Sequence, residues 1–145
     1  MPLPLVEELN PRPDVIAALR ALAALPGLLL LDSARHDSRF GRYTFLTGDP
    51  FDVYEIHDVA TGTDPLTPIR NALRRFPAEP LPDLPPFQGG AAGLLGYELG
   101  GAWERLPRAG VDEFELPALA VGLYDWVLAW DHVAGRAWIV SQGFP

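Results

Sequence analysis

The sequence predicts an α+β fold built mainly from antiparallel sheets packed with a few helices. Two stretches have apolar residues at helical spacing, and most other apolar stretches alternate with polar residues or run continuously for a few residues, as strands do. Short turns rich in glycine, proline and aspartate follow these strands, and strands do not alternate regularly with helices, so a parallel sheet is not expected. With 145 residues, 48% of them hydrophobic, the chain can bury the core of a single domain over residues 1–145.

The first predicted helix begins at Asp14 and is ended by the Pro-Gly pair at 26–27. Its apolar side chains recur at helical spacing at four positions, Val15, Leu19, Leu22 and Ala23. Residues 28–31 then form the continuous apolar run LLLL, which is typical of a fully buried strand. The polar Asp-Ser pair at 32–33 marks the end of that strand.

Two strands and a second helix follow. Residues 42–46 and 51–56 alternate as strands do, and the sequence GDP at 48–50 between them has turn-forming residues at each position. Asp64 then provides an N-cap with Pro65 at the first helical position, as many helices begin. The apolar side of this helix comprises Leu66, Ile69, Leu73 and Phe76.

A glycine-rich stretch covers residues 84–107, LPPFQGGAAGLLGYELGGAWERLP, and carries six glycines within thirteen positions. It begins at the end of a rigid proline-rich connector at 76–86. Glycine weakens a strand, so bare backbone or a positive φ must be needed there. We expect a bulged central strand that packs tightly against a neighbouring sheet and runs into a short helix or turn carrying Glu98 and Glu104. A phosphate-binding loop would need G-x-G-x-x-G and a long following helix, whereas the spacing here is G-G-x-x-G-x-x-G, so a nucleotide site is not expected.

The last third of the chain has the pattern of strands. Residues 116–132 and 136–142 alternate between apolar and polar types, and the Ala-Gly pair at 134–135 between them predicts a hairpin. The sequence then ends in Gly-Phe-Pro directly after a strand that we expect to be buried, with no polar tail. We therefore expect the chain to be part of a longer protein.

Charge and composition exclude several classes of function. The net charge is −8 and all eleven basic residues are arginine, so the phosphate backbone of a nucleic acid would be repelled overall. The chain has no lysine and no cysteine, which excludes Schiff-base chemistry, thiolate nucleophiles and sulfur-ligated metals. No run approaches the roughly 20 apolar residues of a membrane span, and the N-terminus lacks a signal-peptide pattern. We expect a cytoplasmic protein without membrane or nucleic-acid partners.

Residues with catalytic potential are few. Ser33, His36 and Asp37 have the types of a nucleophile, a base and an orienting acid, but they share one short loop, and catalytic triads are assembled across a fold. The three histidines, His36, His57 and His132, are far apart in the sequence and show no ligand spacing. From the residues alone we expect neither a catalytic constellation nor a metal site.

Four ordered segments carry a family resemblance that extends from residue 28 to residue 142. The segments PPFQGGAAGLLGYELGGAWERLP and ELPALAVGLYDWVLAWDH resemble the N-terminal region of the chorismate-utilising enzymes, specifically component I of aminodeoxychorismate synthase. The upstream segments LLLLDSA and FGRYTFLTGDPF are similar to that family's first strand and the strand that follows. Component I of anthranilate synthase is a near relative, but its first motif usually ends in Glu-Ser where this chain has Asp32-Ser33. The run Tyr124-Asp125-Trp126 favours the folate-pathway enzyme.

The resemblance implies an N-terminal, non-catalytic part of a larger enzyme. In the family, a C-terminal half binds chorismate, holds Mg²⁺ through carboxylates and, in aminodeoxychorismate synthases, supplies a nucleophilic lysine. The whole enzyme would replace the C4 hydroxyl of chorismate with ammonia released from glutamine by an amidotransferase partner, giving 4-amino-4-deoxychorismate for p-aminobenzoate and folate. The resemblance therefore implies that these 145 residues are inactive alone and hold no cofactor of their own.

The resemblance also implies a tryptophan pocket, which is regulatory in anthranilate synthase. Its matched positions in this sequence are Ser33, Phe40, Gly41, Arg42 and Tyr43. Ser33 and exposed backbone suit the ammonium and carboxylate of an amino acid, and Phe40 and Tyr43 suit an indole. Arg42 suits a ligand carboxylate or, equally, an internal salt bridge. A free-standing amino-acid-binding domain with the same fold is the alternative function.

Overall fold

The computed structural model describes residues 4–33, 35–37, 39–78, 80–107 and 110–145. This part of the chain contains eight strands, two α-helices and a 3-10 helix, and all the strand pairs are antiparallel. The α+β class with mainly antiparallel sheets is therefore confirmed. The strands are β1 (Leu5–Glu8), β2 (Leu29–Leu31), β3 (Tyr43–Thr47), β4 (Asp52–Ile56), β5 (Gly90–Leu95), β6 (Leu119–Tyr124), β7 (Trp126–Asp131) and β8 (Arg136–Ser141). The helices are α1 (Val15–Ala21), α2 (Thr67–Arg75) and the 3-10 helix Tyr97–Ala102.

The strands form two sheets. One has five strands in the order β1-β8-β7-β3-β2, and the other has three strands in the order β4-β6-β5. Strands β3 and β4 follow each other in the sequence but lie in different sheets, and so do β6 and β7. The apolar alternation over residues 116–132 thus covers two strands, which meet at Asp125. The predicted hairpin is confirmed, because β7 pairs with β8 across the turn that contains Gly135.

Helix α1 covers one face of the five-stranded sheet. The side chain of Asp14 accepts a hydrogen bond from the backbone N–H of Ala17, so Asp14 is the N-cap of the helix predicted to begin there. The helix ends at Ala21, well before the Pro-Gly pair, and Ala23 lies beyond it in an exposed position. Four apolar side chains of this segment pack on the sheet core around Leu46 and Trp130: Val15, Ala18, Leu19 and Leu22.

Helix α2 covers the three-stranded sheet. It begins at Thr67 with Leu66 at the N-cap position, so the predicted N-cap at Asp64 is wrong. The Asp64 carboxylate instead accepts hydrogen bonds from the Leu66 N–H and the Thr67 hydroxyl in the turn that leads into the helix. Ile69 and Ala72 are its buried residues, whereas Leu73, predicted to face the core, is 37% exposed. The helical period is confirmed, but the buried stripe is narrower than predicted, since Leu66 and Phe76 are only half-buried.

The expectation that residues 28–31 form a fully buried strand is wrong. Strand β2 lies at the edge of the five-stranded sheet and pairs only with β3 in the described part of the chain. Its residues are half-buried, and Leu31 is exposed. A continuous apolar run therefore does not by itself distinguish a fully buried strand from an edge strand.

The glycine-rich stretch also differs from its prediction. It forms β5, which lies at the edge of the three-stranded sheet and not at its centre, and its register with β6 is continuous from Gly90 to Leu95, without a bulge. It then runs into the 3-10 helix that carries Glu98, as expected. Gly93 has a φ of 157°, and a Cβ there would lie 2.1 Å from the Ala120 carbonyl oxygen. Close backbone approach, not a bulge, is what requires this glycine.

Among the described residues, no helix is long and apolar enough to cross a membrane.

Candidate functional site

A cleft of about 620 Å³ opens where β2 ends beside β3. Four of the five predicted pocket residues line it, namely Ser33, Phe40, Arg42 and Tyr43. The remaining lining residues are Leu30, Leu31, Asp32, Arg39 and Phe45. The volume lies within the roughly 300–1,000 Å³ typical of small-molecule sites. Residues 30–33 and 39–45 lie side by side because β2 and β3 pair as antiparallel neighbours.

Gly41, the fifth predicted residue, is buried and shapes the loop that frames the cleft. A Cβ on Gly41 would lie 1.7 Å from the carbonyl oxygen of Arg35, so the loop can fold back only over a glycine. Asp37 holds the same loop by accepting hydrogen bonds from the Phe40 and Arg39 N–H groups at 2.7 and 2.8 Å. These backbone hydrogen bonds, the one from Phe40 first, lower the pKa of Asp37. Asp37 is thus a loop-forming carboxylate.

The cleft wall is aromatic with cations over two of its rings. The Tyr43 and Phe45 rings lie 6.0 Å apart, and Phe40 at the rim is 78% exposed. The guanidinium of Arg39 lies 4.7 Å from the centre of the Phe40 ring, and that of Arg42 lies 4.9 Å from the centre of the Tyr43 ring. An aromatic wall with adjacent cations suits a ligand that has both a flat apolar part and an anionic group.

Arg42 makes the internal salt bridge, one of its two predicted roles. Its Nε and Nη2 atoms donate to Asp131 Oδ2 at 3.0 and 2.6 Å. The hydrogen bond to Asp131 raises the pKa of Arg42, and the hydrogen bond from Arg42 is the largest cause of the lowered pKa of Asp131. Asp131 Oδ1 also accepts from the N–H groups of Val133 and Ala134 in the β7–β8 turn. Arg42 is therefore held by the fold, and Arg39 is the cleft arginine that sequence reasoning missed.

Beside the cleft, Asp32, His36 and His132 meet in space, so the expectation that the histidines are scattered is wrong for two of them. One ligand atom from each of the three lies within 4.8 Å of those of the others. The rings of His36 and His132 stack face to face with centroids 3.7 Å apart and 8° between their planes. The fully buried Thr44 hydroxyl donates to Asp32 Oδ1 and lies 2.7 Å from His132 Nε2. Burial, and then the neighbouring His36, lower the pKa of His132.

The run Tyr124-Asp125-Trp126 connects the two sheets. The Tyr124 hydroxyl donates to the carbonyl oxygen of Gly27 at 2.8 Å, and Asp125 accepts from the Ser141 hydroxyl at 2.7 Å and from the Phe144 N–H at 2.7 Å. These contacts tie the strand crossover to the ends of the neighbouring elements. The residues that favoured the folate-pathway assignment are thus structural and do not line the cleft.

Comparison with known proteins confirms the resemblance deduced from the sequence. No protein-family profile matches the chain. The chain is 36% identical to component 1 of aminodeoxychorismate synthase from Escherichia coli over 85% of its own length and 33% of that protein. The corresponding protein of Salmonella typhimurium is also 36% identical, over 83% of the chain and 32% of the relative. Anthranilate synthase component 1 of Streptomyces coelicolor is 34% identical over 91% of the chain and 25% of the relative.

The chain spans about a third or less of the length of these curated relatives. It has the antiparallel α+β architecture that the resemblance implied. Over most of its length the chain is thus similar to one portion of component 1 of the aminodeoxychorismate and anthranilate synthases.

Proposed function

We propose that this chain is the N-terminal, non-catalytic part of component I of an aminodeoxychorismate synthase. The observation that carries the proposal is the 36% identity to component 1 of that enzyme over 85% of the chain. The short share of the relative that is matched, 33%, fits a part that works beside a separate catalytic half. Domain limits of 1–145 belong to the same proposal.

The whole protein would use chorismate. The relative's name, component 1, suggests a second component. With ammonia from that component, a glutamine amidotransferase, the whole protein would form 4-amino-4-deoxychorismate. The C-terminal half would bind chorismate and Mg²⁺, and this chain, which has no lysine, would contribute no nucleophile. The 145 residues alone would then be inactive.

The extended gene provides a direct test of this part of the proposal. A reading frame that continues past Pro145 into a chorismate-binding half with a lysine and paired glutamates is expected. A stop codon there would contradict it and favour a free-standing amino-acid-binding domain. The full-length protein, incubated with chorismate, ammonia and Mg²⁺, should release 4-amino-4-deoxychorismate and rescue growth without p-aminobenzoate.

Anthranilate synthase is the second candidate, because the 34% identity to the Streptomyces coelicolor protein extends over 91% of the chain. The same incubation distinguishes the two enzymes by their products. Accumulation of fluorescent anthranilate, with rescue of growth without tryptophan, would replace the first assignment by the second.

For the cleft we propose weak tryptophan binding that the catalytic half completes. The indole would lie against Phe40 and Tyr43, Ser33 would receive the amino-acid end, and Gly41 would keep the loop in place. Because Arg42 is engaged by Asp131, we assign the ligand carboxylate to Arg39, whose guanidinium is already at the rim.

The exposure of Phe40 argues for weak tryptophan binding by the chain alone. Phe40 is 78% exposed, so an indole that lies against it would also face solvent. A tight small-molecule site instead buries about 70–90% of the surface of its ligand. Calorimetric titration of the 145-residue chain should therefore detect no micromolar tryptophan binding, and a micromolar Kd would contradict an incomplete pocket.

A matched pair of phenylalanines tests the location of the pocket in the full-length protein. Phe40→Ala should weaken tryptophan binding at least about tenfold, since it removes an aromatic wall. Phe114→Ala is the control, because Phe114 is 79% exposed but lies outside the cleft lining. Equal tryptophan affinity in the two variants would place the pocket elsewhere.

A further inference from the structure

Three strands of the five-stranded sheet bring a carboxylate and an imidazole to the same place. Strand β3 pairs with β2 on one side and with β7 on the other. Asp32 directly follows β2, His132 directly follows β7, and Thr44 lies on β3 between them. The backbone N–H of His132 donates to the Arg42 carbonyl oxygen at 2.8 Å, which fixes the histidine beside β3. The sheet thus positions Asp32 and His132 on either side of Thr44.

The hydrogen bonds of Thr44 orient both side chains. Its hydroxyl has a single proton and donates it to Asp32 Oδ1. The Thr44 hydroxyl oxygen therefore accepts the hydrogen bond from His132 Nε2, 2.7 Å away. Because Nε2 carries the proton, Nδ1 of the neutral imidazole keeps its lone pair. A histidine that gives one N–H to a fixed partner while its other nitrogen stays unprotonated has the arrangement found in metal-ligating histidines.

We propose that Asp32, His36 and His132 bind a divalent transition-metal ion, best matched by Zn²⁺. Two imidazoles and one carboxylate are the ligand types that zinc takes, with water completing the tetrahedron. Mg²⁺ and Ca²⁺ prefer oxygen ligands, so the two imidazoles disfavour them. The three ligand atoms lie within 4.8 Å of one another, compared with about 3.4 Å between ligand atoms around tetrahedral zinc.

Binding requires His36 to turn. A zinc–nitrogen bond lies in the plane of the imidazole, and two parallel rings 3.7 Å apart cannot both direct a lone pair at one ion. His132 is held by Thr44 and half-buried, whereas His36 is exposed on the loop that follows Asp32. His36 is therefore the ligand that moves, and the site consists of an oriented pair, Asp32 and His132, closed by one exposed imidazole.

The chain's third histidine provides a matched control. His57 is exposed and pairs with Glu55 on β4, in the other sheet. Zn²⁺ is titrated by calorimetry into the 145-residue protein after removal of any affinity tag, and into His36→Ala, His132→Ala and His57→Ala. We expect one Zn²⁺ per chain with a Kd of about 10 μM or tighter. His36→Ala and His132→Ala should each weaken binding at least about tenfold, with His57→Ala equal to wild type.

His36→Ala is the decisive variant, because an exposed side chain that contributes only ring stacking can be removed without loss of the fold. Thermal unfolding without metal should accordingly be the same for His36→Ala and wild type. A Kd above about 1 mM for the unaltered protein, or an equal Kd in His36→Ala and wild type, would overturn the site. Co²⁺ gives a second readout, since tetrahedral coordination by these ligands should produce visible absorption that His36→Ala lacks, and absence of that absorption in wild type would also overturn it.

Discussion

Gly93 tests the claim that the glycine-rich stretch is built for close packing of backbone. The change is Gly93→Ala, the smallest side chain that adds a Cβ. That atom would lie 2.1 Å from the Ala120 carbonyl oxygen, 2.8 Å from the Cα of Val121 and 3.0 Å from the Ala120 carbonyl carbon. All three belong to the backbone of β6, so no side chain can rotate away to relieve the clash. The positive φ of 157° directs the new side chain at the neighbouring strand.

The size of the effect follows from how far β5 must move. A carbon and a carbonyl oxygen in contact are about 3.3 Å apart, so the two strands must separate locally by about 1.2 Å. Such a shift breaks the nearest hydrogen bonds of the β5–β6 ladder, each worth about 1 kcal/mol, and disturbs the packing of α2 against this sheet. We expect a loss of about 3 kcal/mol in the free energy of unfolding. Gly93→Val, with more bulk, should fold still less well.

Urea unfolding followed by tryptophan fluorescence measures this loss. Gly101→Ala is the control, because nothing lies within 4 Å of a Cβ at that position, and its free energy of unfolding should stay within about 0.5 kcal/mol of wild type. A Gly93→Ala protein as stable as Gly101→Ala would refute the close-approach argument. In a full-length enzyme of the proposed kind, lost activity with an unchanged melting temperature in Gly93→Val would likewise point to a functional and not a structural role.

Two further predictions concern polar contacts and use the same unfolding measurement. Asp131→Ala should lower the free energy of unfolding by about 2–3 kcal/mol, because it removes the acceptor of Arg42 and of the turn N–H groups. Glu8→Ala should lower it much less, because its ion pair with Arg136 is exposed, and equal losses would show that burial of Asp131 does not matter. Asp14→Ala should lower the free energy of unfolding by about 1 kcal/mol, because α1 loses its N-cap. A free energy of unfolding equal to that of wild type would contradict a capping role.

The fold class and most elements could be predicted because they depend on local patterns. Asp14 and the spacing of apolar residues after it located α1, and the turn at Gly135 located the last hairpin. The sheet to which a strand belongs is not a local property. Residues 119–131 alternate through Asp125 without a turn-forming pair such as Asn-Gly or Pro-Gly, so the sequence pattern does not indicate that the chain changes sheets there.

The contacts within the candidate cleft could not be predicted from the sequence, although the resemblance named four of the residues that line it. Resemblance placed Ser33, Phe40 and Tyr43 at a pocket, and the structure brings them to one cleft. The partner of Arg42 is Asp131, from a strand near the far end of the chain, and only the pairing of β3 with β7 makes that contact. The stack of His36 on His132 depends on the same pairing. Long-range antiparallel register thus decided which of two roles Arg42 has.

Asp32 connects the two proposed sites. It lines the cleft, and its carboxylate also accepts the hydrogen bond from Thr44, which lies on the β3 face opposite Tyr43 and Phe45. Resemblance places a glutamate at this position in anthranilate synthases. The shorter aspartate keeps its carboxylate close to the backbone of β2, within reach of Thr44 and of the two histidines. Asp32 therefore joins the cleft to the histidine pair, since it lines the cleft and its carboxylate also lies beside Thr44 and the two imidazoles.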